Sequence, residues 1–198
     1  MMSEQIQTNL AYRIGHQGYL LPLMLYVVLT THIARDFLEK FMFTHMLIQI
    51  PLIVFCGGWI ANIIINKYSI RIPYTFALTL LIISLTTAMF WMLPKTLDAS
   101  LQNSYYEFSK FISLPTVLGA AFILGWKNTG VITRSFFVIN ITSMLIVLAW
   151  LYIEAPLRLC NYYLVDEQKQ VGAGILLAVS CVSLYWIVRL FSGNKKCS

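Results

Sequence analysis

The chain has 198 residues, of which 59% are hydrophobic and 11% charged, with a mean hydropathy of +0.73 and a net charge of +6. Soluble domains carry about 25% charged residues, so an ordinary soluble domain, a disordered chain and a nucleic-acid-binding domain are excluded. Six prolines and ten glycines are too few for low complexity, and four scattered cysteines make no disulfide framework.

What remains is an all-α, polytopic transmembrane helix bundle forming one integral membrane domain over residues 1–198. Crossing the hydrocarbon core takes roughly 20 mostly apolar residues per helix. The first 17 residues are polar and contain no cleavable signal. Six spans follow, at about 19–34, 43–65, 73–93, 111–126, 135–153 and 171–191. They are continuous apolar runs, without the period-two alternation of a transmembrane barrel. The first is interrupted by Thr30, Thr31 and His32. Between the third and fourth, Leu97–Phe111 is amphipathic, and Tyr105, Tyr106 and Phe108 suit the membrane–water boundary.

Six spans put both termini on one side. That side holds Arg13, Lys67, Arg71, Lys127, Arg134, Arg189, Lys195 and Lys196 with one acid, Glu4. The other side holds Arg35, Lys40, Lys95, Lys110, Arg158 and Lys169 with the remaining seven acids. The basic bias places both termini in the cytoplasm.

Polar groups are costly in lipid and gather at bundle interiors or aqueous cavities. Here they gather toward the extracytoplasmic side: His32, Met42, His45, Asp98 and Asp166. Met42, His45, Met46 and Gln49 follow i, i+3, i+4, i+7 spacing and share one helical face. Thioether and imidazole ligands on one face suit copper as Cu(I). The alternative is that Met42 and Met46 only pack and His45 bonds a backbone carbonyl. His32 and Asp36, four apart, can pair so that the carboxylate orients the imidazole, or they form a polar pair at a helix end. Thr96 and Asp98, and likewise Asp166 and Gln168, stand where helix capping is the plain alternative to a role at a site. Cys56 and Cys181 read as buried mid-span residues. Cys160 is in an outer loop without a second cysteine, and Cys197 is in the tail. No phosphate loop, catalytic pair or mid-span carboxylate is present, so neither an enzyme nor a proton-coupled transporter is expected. The histidine placement disfavours a haem site.

Three segments resemble the CtaG family of cytochrome c oxidase assembly membrane proteins. The first runs Asp36-Phe37-Leu38-Glu39-Lys40-Phe41-Met42-Phe43-Thr44-His45-Met46 and on through Gln49, Pro51-Leu52 and Gly57. The second is Trp91-Met92-Leu93-Pro94-Lys95-Thr96-Leu97-Asp98 with Gly119 and Trp126. The third is Tyr163-Leu164-Val165-Asp166-Glu167-Gln168 with Gly172 and Gly174. The resemblance implies a membrane factor of the bacterial inner membrane that handles copper at the outer face for a copper-containing respiratory oxidase. It transfers His45, Met46, Asp98, Asp166 and Gln168 as functional positions. His45 with Met42, Met46 and His32 are then the candidate metal ligands, and Asp36, Gln49, Asp98, Asp166 and Gln168 the supporting residues. Family members usually have a seventh span and a second histidine one turn after the first, where this chain has Gln49. The alternative function is a structural accessory subunit of a larger membrane oxidase or monooxygenase.

Overall fold

The computed structural model describes residues 18–155 and 163–193. Arg13, His16, Arg158, Cys160, Lys195, Lys196 and Cys197 lie outside the described residues, and of Arg189 only the backbone is described. The described chain is helical, with no strand among its residues. Its helices are α1 (Leu20–Thr30), α2 (His32–Leu38), α3 (Met42–Tyr68), α4 (Tyr74–Met92), α5 (Pro94–Gln102), α6 (Ser104–Lys127), α7 (Val131–Glu154) and α8 (Val165–Gly193). Five are long and apolar enough to cross a membrane: α3, α4, α6, α7 and the first 24 residues of α8.

The first expected span, 19–34, is not one straight helix. α1 and α2 meet at 71°, and α1 alone, with 11 residues, is only about 16 Å long. Two adjacent threonines cause the break. The hydroxyls of Thr30 and Thr31 donate to the carbonyls of Val27 and Val28 at 2.8 and 2.6 Å, while Thr31 itself is extended (ψ 146°). Local side-chain bonds thus take over carbonyls that a continuing helix would have paired. The chain has six spans only if this bent pair counts as one.

Expected boundaries also move at α6 and α8. The fourth span begins at Ser104 rather than near Phe111, capped by Asn103, whose side chain accepts from Tyr105 N at 3.0 Å. Glu107 and Lys110 therefore belong to a spanning helix, not to a loop. The sixth begins at Val165, with Asp166 and Glu167 in its first turn, where acids complement the helix dipole.

α3 and α6 cross at the centre of the molecule. Gly57 lies against the backbone of Pro115, and a Cβ on Gly119 would stand 2.8 Å from Gly58 N. Only glycine admits this approach, as small residues do between membrane helices generally. α1 packs on one flank of α3, and α4 packs on the second half of α6. α7 and α8 form a pair joined to the rest mainly where α8 meets the start of α3. At that junction Met42, Ala149, Tyr152, Tyr163, Val171, Ile175 and Val179 form one apolar cluster.

Both crossing helices contain a π-helical turn, His45–Gln49 in α3 and Leu114–Ala120 in α6. Proline explains them. Pro51 follows the first turn and Pro115 lies in the second, and neither can donate to the carbonyl four residues back. For Pro115 that carbonyl is Phe111 O. It is claimed instead by the Tyr26 hydroxyl of α1 at 2.8 Å, which ties the bent first helix to α6.

Candidate functional site

Near the α2–α3 junction the structure assembles a polar centre from three helices. α2 runs into Glu39, the π turn of α3 supplies His45 and Gln49, and the first turns of α6 supply Glu107 and Lys110. Thr44 sets the junction geometry, donating to Leu38 O and Phe41 O at 2.6 and 2.9 Å. The Tyr163 hydroxyl fastens α8 to the same point, donating to Glu39 O at 2.9 Å.

Glu39 is the hub. Its Oε1 accepts from Lys110 Nζ at 2.9 Å, lies 3.5 Å from Gln49 Nε2 and stands 3.9 Å from His45 Nδ1. Lys110, His45 and Gln49 are wholly buried, whereas the Glu39 side chain keeps 16% exposure. The Lys110 ammonium also sits 4.9 Å from the Phe111 ring centroid. A buried lysine of this kind requires a counterion, since an isolated charge at this depth is prohibitively costly. Glu39 supplies it. A second pair, Arg35 with Glu107, bridges α2 and α6 beside the first and is about a quarter exposed.

The network assigns the proton on Nδ1 of His45. Gln49 turns its amide nitrogen toward the Glu39 carboxylate, an acceptor, so its Oε1 faces His45. Nδ1 of His45, 2.8 Å from that oxygen, must then be the protonated ring nitrogen. A second proton would bury a charged N–H without a partner, so the other nitrogen, Nε2, carries a lone pair. It is buried and has no hydrogen-bond partner among the described residues. His45 and Gln49, four apart, meet side chain to side chain within the π turn.

The residues expected from sequence separate into four groups. His45 and Gln49 meet. Met42 is buried but belongs to the apolar cluster with α7 and α8, and Met46 packs against that cluster. His32 and Asp36 pair as their spacing predicts, Nδ1 to Oδ2 at 2.8 Å, but at 78% and 67% side-chain exposure they are on the surface, away from the buried imidazole. The remaining positions are tied to the fold. Asp98 is buried within α5, Asp166 is exposed, and Gln168 is buried with Nε2 donating to Tyr152 O at 3.3 Å. Thr96 does not cap α5 through a backbone N–H. Its hydroxyl donates to Phe90 O and Leu93 O across the turn from α4. Cys181, expected to be buried, is exposed; Cys56 is buried.

Glu39, Lys110, Arg35 and Glu107 were not legible as a site. One signal bore on Glu107 and Lys110: an apolar run of 16 residues at 111–126 is short for a span, and the helix extends backward through both.

As a metal site the centre offers one open imidazole. Among the described residues no group of three or more His, Cys, Asp or Glu side chains is placed to hold an ion. His45 fits the role of a single ligand, its far nitrogen oriented by a hydrogen-bonded partner as for metal-bound histidines. The arrangement does not supply a chelate from those side chains. In comparisons with known proteins, the chain matches no family model, no curated protein and no solved structure.

Proposed function

We propose that this integral membrane protein is a non-enzymatic assembly factor that passes copper, as Cu(I), at the extracytoplasmic face to a copper-containing respiratory oxidase of the bacterial inner membrane. Both termini are then cytoplasmic. The observation that carries the reading is the buried, unpartnered Nε2 of His45, held open by Gln49 and the Glu39–Lys110 pair. Copper here is cargo. One imidazole, with Met42 and Met46 the nearest soft donors in sequence but held in apolar packing, holds an ion weakly enough to surrender it to a client that completes the ligand set. Gln49, standing where the resembling family often has a second histidine, acts on this reading as the acceptor that orients His45. His32 is released from the ligand set by its exposure.

Cu(I) competition against a chelator on purified protein in detergent tests this. The wild type is expected to bind one Cu(I), His45→Ala to bind none, and Gln49→Leu to lose about 10–100-fold in affinity. Unchanged binding by His45→Ala rejects the site.

A specific observation favours a second reading, a structural accessory subunit of a larger oxidase or monooxygenase. Only 17% of the spanning stretch of α7 is buried within the chain, and Phe136 and Trp150 on it are exposed. Absence of Cu(I) binding together with a stoichiometric partner recovered in mild detergent would select it.

A further inference from the structure

The face of the α3–α6 crossing at the opposite end of the molecule carries a groove of about 620 Å³. That is within the roughly 300–1,000 Å³ typical of small-molecule sites. Gly58 and Gly119 line the groove where the two helices come into backbone contact. Two aromatic pairs flank it, Phe55 with Trp59 on α3 and Phe122 with Trp126 on α6, each with ring centroids 5.2 Å apart. At its end stand Asn62 and Lys127.

Lys127 has a charge to give. Its ammonium donates to a neutral partner, Asn66 Oδ1, at 2.6 Å, and it forms no ion pair among the described residues. Lys67, Arg71 and Arg134 stand at the same end of the spans, and none of the seven acids of the described chain does. Arg134 is itself turned inward, donating to Trp126 O at 2.9 Å and lying over the Trp126 ring. An apolar channel within spanning helices, ending at indole rings and an uncompensated ammonium, has the layout of a lipid: hydrocarbon along the groove, headgroup at the membrane surface.

We propose that this groove is a binding site for one anionic phospholipid. An acyl chain lies over Gly58 and Gly119, and the phosphate is bound by Lys127 with Asn62. The site is independent of the polar centre at the other end and does not rest on a copper role.

The test uses full-length protein in nanodiscs, with Trp91, Trp150 and Trp186 replaced by Phe so that Trp59 and Trp126 report alone. Phosphatidylglycerol or phosphatidylcholine with brominated acyl chains is titrated in, and quenching is read. Brominated phosphatidylglycerol is expected to quench at several-fold lower mole fraction than brominated phosphatidylcholine. Lys127→Gln should reduce that preference about fivefold, the effect of one basic residue near a charged bilayer surface. Lys67→Gln, which removes an equal charge outside this groove, should leave it intact. Gly58→Ala, whose methyl would press on Ile123 Cγ1 at 3.1 Å, should weaken quenching by both lipids. Equal quenching by the two lipids in the unmutated background overturns the proposal. So does an equal loss in Lys67→Gln, which would indicate general surface charge, or relief of quenching by millimolar inorganic phosphate, which would indicate a free-anion site.

Discussion

The two ends of the molecule handle charge in opposite ways. At the acidic end two cations have their counterions: buried Lys110 has Glu39, and the partly exposed Arg35 has Glu107. At the basic end Lys127 has only an amide, and its neighbours Lys67 and Arg71 have no acid among the described residues. The first pattern is that of a protein-internal structure, in which both ion pairs are closed within the chain while Nε2 of His45 is left without a partner among the described residues. The second is that of a surface completed by something outside the chain. The comparison teaches that net charge, +6 for the whole chain, says little here. What separates the ends is whether the ions are compensated within the fold.

The largest effect that would break this contrast comes from removing one member of the buried pair. Glu39→Ala leaves the Lys110 ammonium buried without an anion and should cost about 3–5 kcal/mol. Thermal melting in detergent reads this, and Glu39→Met combined with Lys110→Met should recover most of the loss. A double variant as unstable as the single would mean the charges are not compensating each other. Next is the crossing that connects the two ends. Gly119→Ala drives a methyl into Val54 O and Gly58 N and should cost about 1–3 kcal/mol. Gly130→Ala, with nothing within 4 Å of the added carbon, should stay within about 0.5 kcal/mol of wild type. The quarter-exposed pair sharpens the comparison further. Arg35→Ala should cost no more than about 1 kcal/mol, well below Glu39→Ala, because solvent screens it. A similarly small effect is expected at His32→Ala. It removes an exposed i, i+4 pair and about 0.3–0.5 kcal/mol, and leaves Cu(I) binding unchanged.

The helical bundle was legible in the sequence because apolar length alone dictates spanning helices, and α3, α4 and α7 fall within a few residues of their expected ranges. The shared face of His45 and Gln49 was legible too, since i, i+4 spacing acts within one helix. Two things were not. The break at Thr31 depends on hydroxyls choosing carbonyls over solvent, which an average over an apolar run hides. The Glu39–Lys110 pair joins residues 71 apart in sequence, and only the packing of α3 on α6 brings them together. Lys110, read as a loop cation, is a buried one because Asn103 starts α6 two turns earlier than hydropathy suggests. Met42 and Met46 point the same lesson the other way. Their spacing suits a ligand set, yet the apolar surface of α7 and α8 claims them for packing.

The central claim is that the polar network holds His45 in the Nδ1-protonated tautomer with a free lone pair on Nε2. It is tested most directly by ¹⁵N NMR of histidine-labelled protein in detergent, with His45 assigned by its loss in His45→Gln. The account predicts a neutral ring protonated at Nδ1, with the Nε2 resonance alone moving when Cu(I) is added. A ring protonated at Nε2, or a Cu(I)-induced shift confined to His32, would contradict it.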